Sequence, residues 1–581
     1  MAEALISPGV LARENDNSFI SQGPIRNSAA IIGPTVKGPV EWPQIVTSYS
    51  DFTNKFGSSV VVSNGTGSGT PYTFFTSIAA YNFFINGGET LLVTRVASGS
   101  YSSATSSFIS GSTPGSIASG SAFTLTTFSE GTIMNSTSNP DISGSLPSGS
   151  ADNIRFQIAN PNTSSGTFDL YIRRGDDNTA NPIILETWTG LSLDPLAPNF
   201  LSKIIGDNYE VLDTVNNQMI NNGTYKNNSR YVYVSNINPY FLTPNYFDNN
   251  GNPKSEYTPF IPASSPVSGS FGAAVGAVTG SANFYEDINS INTQGLVANN
   301  YTASVALMAN QDAYKFNVLA IPGLYNSDAN YNSVITTVIN NTQNRGDNIF
   351  VLDLVPYSSS VSAASVQANQ RNTSYAASYW PWVQTIDPDL GQLVWVPAST
   401  MIPGVYAYND TVSEPWFAPA GINRGGLSQV VRAERKLTQT QRDDLYSNKI
   451  NPIATFPANG VVVYGQKTLQ TKASALDRVN VRRLLIALKN FISEVTQNLV
   501  FEQNTIATRN AFLAAVNPYL ETVQQRQGLY AFKVIMDDSN NPADVIDRNQ
   551  MVGQIYIQPT KTAEFIYLDF NFLPTGATFP A

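Results

Sequence analysis

The sequence predicts a multidomain α+β protein. Its α/β core layers are interrupted by an inserted antiparallel β domain and followed by a further α+β domain, with an extended arm at each end. Three observations carry this reading. Short apolar runs alternate with helix-length segments at both 29–96 and 316–353, the hydrophobic period drops to two residues between them, and a β-branched strand near 461–464 delivers a long amphipathic helix. At 581 residues the chain exceeds what one hydrophobic core holds, so three or more domains are expected.

Cysteine and histidine are both absent. The first absence argues for assembly in a reducing cytosol and against disulfide scaffolds, thiolate zinc sites and thiol chemistry. The second removes the commonest general base and the commonest transition-metal ligand, so neither enzymatic activity nor a cofactor is expected. The opening residues lack a basic stretch before an apolar core, and no apolar run approaches the roughly eighteen residues of a membrane span, so neither a classical signal nor membrane insertion is expected. Charged residues make up only 13%, a surface that repels its own copies weakly. The net charge of -10 is unevenly spread, because Arg424 to Arg526 holds fourteen Lys or Arg against seven Asp or Glu. With no zinc finger, no RNP-type aromatic motif and no Lys/Arg run, this basic region suits an acidic protein partner and not nucleic acid.

Residues 1–22 read as an extended arm: Ser7-Pro8-Gly9 punctuates the chain, and the polar stretch that follows promises little burial of its own. Twenty extended residues reach about 66 Å, enough to cross a neighbouring molecule. Residues 23–97 and 301–420 form a discontinuous middle α/β domain. Its first part gives strand Ala29–Ile32, turns at Gly33-Pro34 and Gly38-Pro39, strand 45–47, a helix ending at Gly57, a second helix ending at Gly87-Gly88, and a buried strand 91–96. Its second part gives strand 317–323, helix 334–341 and strand 348–353, a spacing that implies parallel pairing.

Between Val96 and Ser129 there is no charge, and thirteen of the twenty residues from Tyr101 to Gly120 are Ser, Thr or Gly, which reads as a linker or surface loop. Within 98–215 the alternation of Ile154, Phe156 and Ile158, and of Phe168, Leu170 and Ile172, predicts an antiparallel β domain. Residues 216–300, rich in Asn, Gly, Pro and Tyr, read as a further insertion. Residues 421–560 form the C-terminal domain, and 561–581 a last strand and arm in which Phe565, Tyr567 and Asp569 alternate with Ile566, Leu568 and Phe570. The long helix begins near Asp477, with Val481, Leu484, Leu488, Ile492 and Val495 on one wide face and Arg478, Arg482 and Lys489 on or near the other.

Three segments come near to ligand-binding motifs and depart from them. Gly460 to Thr468 approximates a phosphate loop, but Val461-Val462-Val463-Tyr464 are strand formers that cannot turn their amides inward. Asp353 closes a parallel strand, the place where such sheets often carry nucleotides, yet no glycine-rich loop accompanies it. The cluster Asp537, Asp538, Asn540, Asn541, Asp544 and Asp547 lacks the glycine and glutamate of a calcium loop and reads as a capped turn.

Several short segments, in order, resemble one family. Ser7-Pro8-Gly9-Val10 with spaced Glu14, Asp16 and Ser18, the Gly-Pro turn followed by Ser48-x-x-x-Phe52-x-x-x-Phe56-Gly57, Glu414-Pro415-Trp416, Arg482-Arg483 and Phe501-Glu502-Gln503-Asn504 are similar to the contractile tail sheath proteins of tailed, myovirus-type bacteriophages. The resemblance covers both ends and most of the α/β portions; Leu11 departs from it, standing where the family often has an aromatic. It implies a non-enzymatic virion subunit, assembled in the host cytoplasm, that polymerises as stacked, hexameric rings around a tail tube protein between baseplate and tail terminator proteins. Contraction would drive the tube through the host envelope.

The resemblance further implies that the terminal arms add strands to adjacent copies, through Val10, Leu11, Ala12, Arg13 and Glu14 at one end and Phe565, Ile566, Tyr567, Leu568, Asp569 and Phe570 at the other. The C-terminal domain would be the inner one, with Arg478, Arg482, Arg483, Lys489 and Glu502 as tube-facing or inner-domain charges; a buried arginine paired to Glu502 is an open alternative to a binding contact. Two other readings stay open: the sheath of a bacteriocin-like or type VI-like injection machine, and, in a different class, a carbohydrate-binding or glycosidic tail protein.

Overall fold

The computed structural model describes residues 28–63, 69–109, 121–136, 144–213, 215–261, 267–278, 294 and 296–565. The expected strand residues Val10 to Glu14 and Ile566 to Phe570 lie outside them.

The architecture is built on one eight-stranded sheet. Its order is Gln44–Val46, Thr90–Arg95, Ser28–Gly33, Val318–Tyr325, Ile349–Asp353, Ala376–Trp380, Ile450–Phe456 and Gly460–Val463. The six inner strands run parallel, and the short strand at each edge is antiparallel. Parallel strands need both faces covered, and the side chains divide accordingly. Ala29, Ile31, Ile349 and Val351 enter one core, with helices Tyr49–Phe56, Phe75–Ile85 and Ile402–Val412 packed over it. Ala30, Ile32, Phe350 and Leu352 enter the other, under helices Thr302–Leu307, Asn332–Arg345, Val361–Asn369 and Gln439–Ser447.

Local signals set the helix ends. Ser48 accepts from the Asp51 amide at 3.0 Å to start the first helix, whose Asp51 and Lys55 pair at 3.2 Å. Asn332–Arg345 stops at Gly346, whose φ of 71° is left-handed and cheap only without a β-carbon. Thr438 and Gln441 form a reciprocal capping box on Gln439–Ser447.

Strands Ile450–Phe456 and Gly460–Val463, expected to belong with the C-terminal domain, instead complete the large sheet beside Ala376–Trp380. Adjacency in sequence to the long helix suggested otherwise; adjacency in space is decided by pairing. The first half of the near phosphate loop, Gly460–Val463, is thereby extended strand.

The inserted domain also differs from its expected outline. The uncharged stretch read as a linker carries strands Ser103–Ile109 and Ser121–Glu130, and the region 216–300 supplies Val232–Ile237 and Val267–Ser270. Val232–Ile237, Ser121–Glu130 and Ser103–Ile109 make one sheet, and Ile184–Ser192, Thr167–Arg174, Ile154–Asn162 and Val267–Ser270 make a second. The two face each other over a single core containing Phe123, Val234, Phe156 and Leu170, so strands from 98–215 and from 216–300 share one sandwich, while Leu296 enters the large sheet's second core. Arg95, 1% exposed, ties that sandwich to the large sheet by donating to the carbonyls of Gly38 at 2.5 Å and Glu130 at 2.9 Å.

C-terminal to the sheet, helices Val479–Gln497 and Ile506–Gln525 and the hairpin Leu529–Ile535 with Gln554–Pro559 enclose a separate core of Trp416, Leu484, Leu488, Phe512, Val516 and Leu520. The long helix serves two cores at once, because Val479 and Ile486 reach back into the large sheet's core.

Candidate assembly surface

The terminal hairpin is a two-stranded antiparallel sheet, and among the described residues no third strand pairs with either side of it. Phe532, Val534, Ile555 and Ile557 pack toward the helices beneath, while Tyr530 and Tyr556 are 63% and 56% exposed on the other face. Two edges that no described strand covers invite further strands, although Gln524 and Asn540 already cap the Tyr530 and Ile535 carbonyls, and a two-stranded sheet gains most from accepting them. The turn joining the strands is the acidic loop. There Asp537 accepts from the Ser539 amide at 2.8 Å, and Asn541 bonds the Val552 carbonyl and amide at 2.9 and 2.8 Å, so the cluster's polar groups fold the loop onto itself. No group of carboxylates able to hold a metal ion occurs among the described residues.

The five charges singled out on and after the long helix part company. Arg482 is 3% exposed, donates to the Ser374 carbonyl at 3.2 Å and to its hydroxyl, and stacks 3.9 Å from the Tyr375 ring centre. Arg483, 5% exposed, donates to Asp410 at 2.6 Å above the Tyr406 ring. Both sit inside the chain, because the helix face they occupy is pressed against the large sheet. Lys489 and Glu502 are exposed. The carboxylates that meet the arginines are Asp410, Asp477 and Glu564, not Glu502.

Arg478 lies just ahead of the long helix and grips Glu564, Nε to Oε1 at 2.7 Å and Nη2 to Oε2 at 3.0 Å. Glu564 stands one residue before Phe565, the only expected arm-strand residue among the described ones, which is 67% exposed. Neither Glu564 nor its partners Tyr446 and Gln466 was singled out from the sequence. The one available signal was a carboxylate standing just before the apolar run Phe565-Ile566-Tyr567-Leu568.

Asp353 is 5% exposed and closed to ligands by the chain's own donors, the Ser399 hydroxyl at 2.6 Å, the Ser399 amide at 3.2 Å and the Gly323 amide at 3.4 Å. Burial pushes its carboxyl up to about 6, against those hydrogen bonds. No described helix is long and apolar enough to cross a membrane.

Comparison with known proteins places these elements. Residues 294–469 match the phage tail sheath protein central domain and residues 471–573 the phage tail sheath C-terminal domain. The tail sheath protein of Vibrio phage KVP40 is 45% identical over 185 residues, which is 32% of this chain and 28% of that one. That of Enterobacteria phage T4 is 40% identical over 185 residues, with the same shares. The matched stretch thus spans under a third of these curated relatives. The fold aligns with the crystal structure of a sheath tail protein from Listeria innocua over 93% of this chain and 96% of the other, at 10% identity and a TM-score of 0.51, a likeness of fold alone. Through residues 294–469 and 471–573, the chain is similar to the central and C-terminal domains of the phage tail sheath family.

Proposed function

We propose that this protein is the structural subunit of a contractile phage tail sheath, polymerising around a tail tube and contracting to drive that tube through the host envelope. The observation that carries the reading is the terminal hairpin, which has no third strand on either edge among the described residues and lies within the stretch that matches the sheath C-terminal domain. The N-terminal residues 1–22 and the C-terminal residues from Phe565 onward supply strands to the hairpins of adjacent copies. Each added strand contributes on the order of five backbone hydrogen bonds at about 1 kcal/mol net apiece. Every subunit both gives and receives, so the mesh stays connected while the rigid domains rotate. Contraction releases a kinetically trapped extended lattice and requires no nucleotide. The partners are further copies of the chain in stacked hexameric rings, an acidic tail tube protein, and the baseplate and terminator proteins that close the two ends; the site of action is the virion tail.

Negative-stain microscopy of the purified protein tests this. Hollow striated cylinders are expected, and a chain lacking residues 566–581 should stay folded and monomeric. Cylinders formed equally well by the truncated chain would remove the arm from the account.

A further inference from the structure

The chain leaves the hairpin at Pro559, and Thr560 Oγ1 donates to the Gln527 carbonyl at 2.6 Å. Residues 561–565 then carry the chain back to the edge of the large sheet, where the Glu564 carboxylate enters a cradle built by three separate elements. Arg478, ahead of the long helix, supplies the forked pair described above. Tyr446, on helix Gln439–Ser447, donates its hydroxyl to Oε2 at 2.8 Å. Gln466, just after strand Gly460–Val463, donates Nε2 to Oε1 at 3.0 Å and to Thr562 Oγ1 at 2.7 Å. Two carboxylate oxygens thus receive four donors. A planar guanidinium fork meeting a carboxylate fixes direction as well as distance. The cradle is itself braced, since Arg478 also pairs with Asp477 at 3.0 Å and the Lys467 ammonium donates to the Tyr446 carbonyl at 2.7 Å.

A tail that needed only to be tethered would require none of this. Sixteen residues follow Phe565, enough to span about 53 Å when extended. Where those residues leave the body decides which neighbouring copy they can reach, and a fixed exit removes much of the ordering entropy that a loose tether loses on docking.

We propose that Arg478, Tyr446 and Gln466 are positioning residues that grip Glu564 and set the exit point of the C-terminal arm toward an adjacent copy's hairpin. The inference rests on the sheath reading, and it adds a device to it: one ion pair at the arm's root that governs assembly without touching the partner.

The test compares the full-length chain with Glu564→Gln, Arg478→Ala, Tyr446→Phe and the charge-swapped pair Arg478→Glu with Glu564→Arg. Release of peptide 562–581 by trypsin, which cuts after the exposed Lys561, is followed by mass spectrometry on monomer at low concentration. The concentration at which cylinders appear is measured by sedimentation and microscopy. Losing a charge-assisted bond should speed cleavage about tenfold and raise the assembly concentration about tenfold, with the global melting temperature unchanged. Tyr446→Phe should fall between, and the swap should recover part of both effects, which a merely structural role would not. Unchanged cleavage would show that the cradle holds nothing. Faster cleavage with unchanged assembly would show that it does not aim the arm. A wild-type chain that forms no cylinders overturns the sheath reading itself, and the latch's role with it.

Discussion

Arg483 donates to Asp410 across 2.6 Å, with side chains only 5% and 6% exposed. The guanidinium lies 4.5 Å over the ring of Tyr406, whose hydroxyl meets that of Tyr379 at 2.7 Å, so a cation–ring contact and a hydroxyl pair join the long helix, helix Ile402–Val412 and strand Ala376–Trp380. Burial raises the Asp410 carboxyl while the guanidinium opposes it. Removing one partner leaves a charge stranded in a dry site. Asp410→Ala is expected to cost about 3–5 kcal/mol in urea denaturation, while replacing both residues by apolar ones of similar size should cost far less. Equal losses from the single and double variants would contradict this.

The same burial divides the long helix's cations. Arg482→Glu would set a carboxylate against the Ser374 carbonyl and the Tyr375 ring and should yield little folded protein. Lys489→Glu, at an exposed position, should stay within about 0.5 kcal/mol of wild type. If the basic region faces an acidic tube, Lys489→Glu will lower assembly on tubes while sparing self-polymerisation. Undiminished tube-dependent assembly would remove Lys489 from that contact.

Gly404 allows helix Ile402–Val412 to cross Phe75–Ile85 at close range. A β-carbon there would stand 2.7 Å from the backbone carbonyl oxygen of Asn82. Gly404→Ala should therefore destabilise by about 1–3 kcal/mol despite alanine's better helix propensity, because two backbones would have to separate. A rise in melting temperature would show that the crossing can relax.

Much of this was legible in the sequence where one physical demand ruled. Ala29–Ile32 and Ile349–Leu352 are apolar at every position because both sheet faces are covered, and they read as buried parallel strands. The Ser/Thr-rich strands of the sandwich did not read as strands. Their hydroxyls pair across the sheet, Ser107 with Thr124 at 3.0 Å and Thr126 with Ser235 at 2.7 Å, which hides sheet structure behind a polar composition. Arg482 and Arg483 were visible as cations. Their burial was not, since it follows from a helix shared by two cores. The Glu564 cradle joins residues 86 to 118 positions apart, and no local pattern reports such a convergence.

Asp353 predicts a pH dependence of known sign. Its folded value of about 6 exceeds the ordinary 3.8, so between those values the folded chain binds the proton and the unfolded chain has released it. This stabilisation is fully present below 3.8 and is lost as pH rises through about 6, by up to about 3 kcal/mol. Asp353→Asn should remove that part of the profile, so denaturation curves of variant and wild type will converge or cross between pH 4 and 6. Curves that stay parallel would rule out a buried carboxyl titrating there.

The central claim is that open hairpin edges are filled by other copies of the chain. A high-resolution cryo-electron microscopy map of the assembled cylinder measures this directly. The expected result is a sheet in which Leu529–Ile535 and Gln554–Pro559 are flanked by strands from adjacent subunits, joined through backbone hydrogen bonds. A hairpin left bare, with both terminal segments packed on their own subunit, would contradict the account.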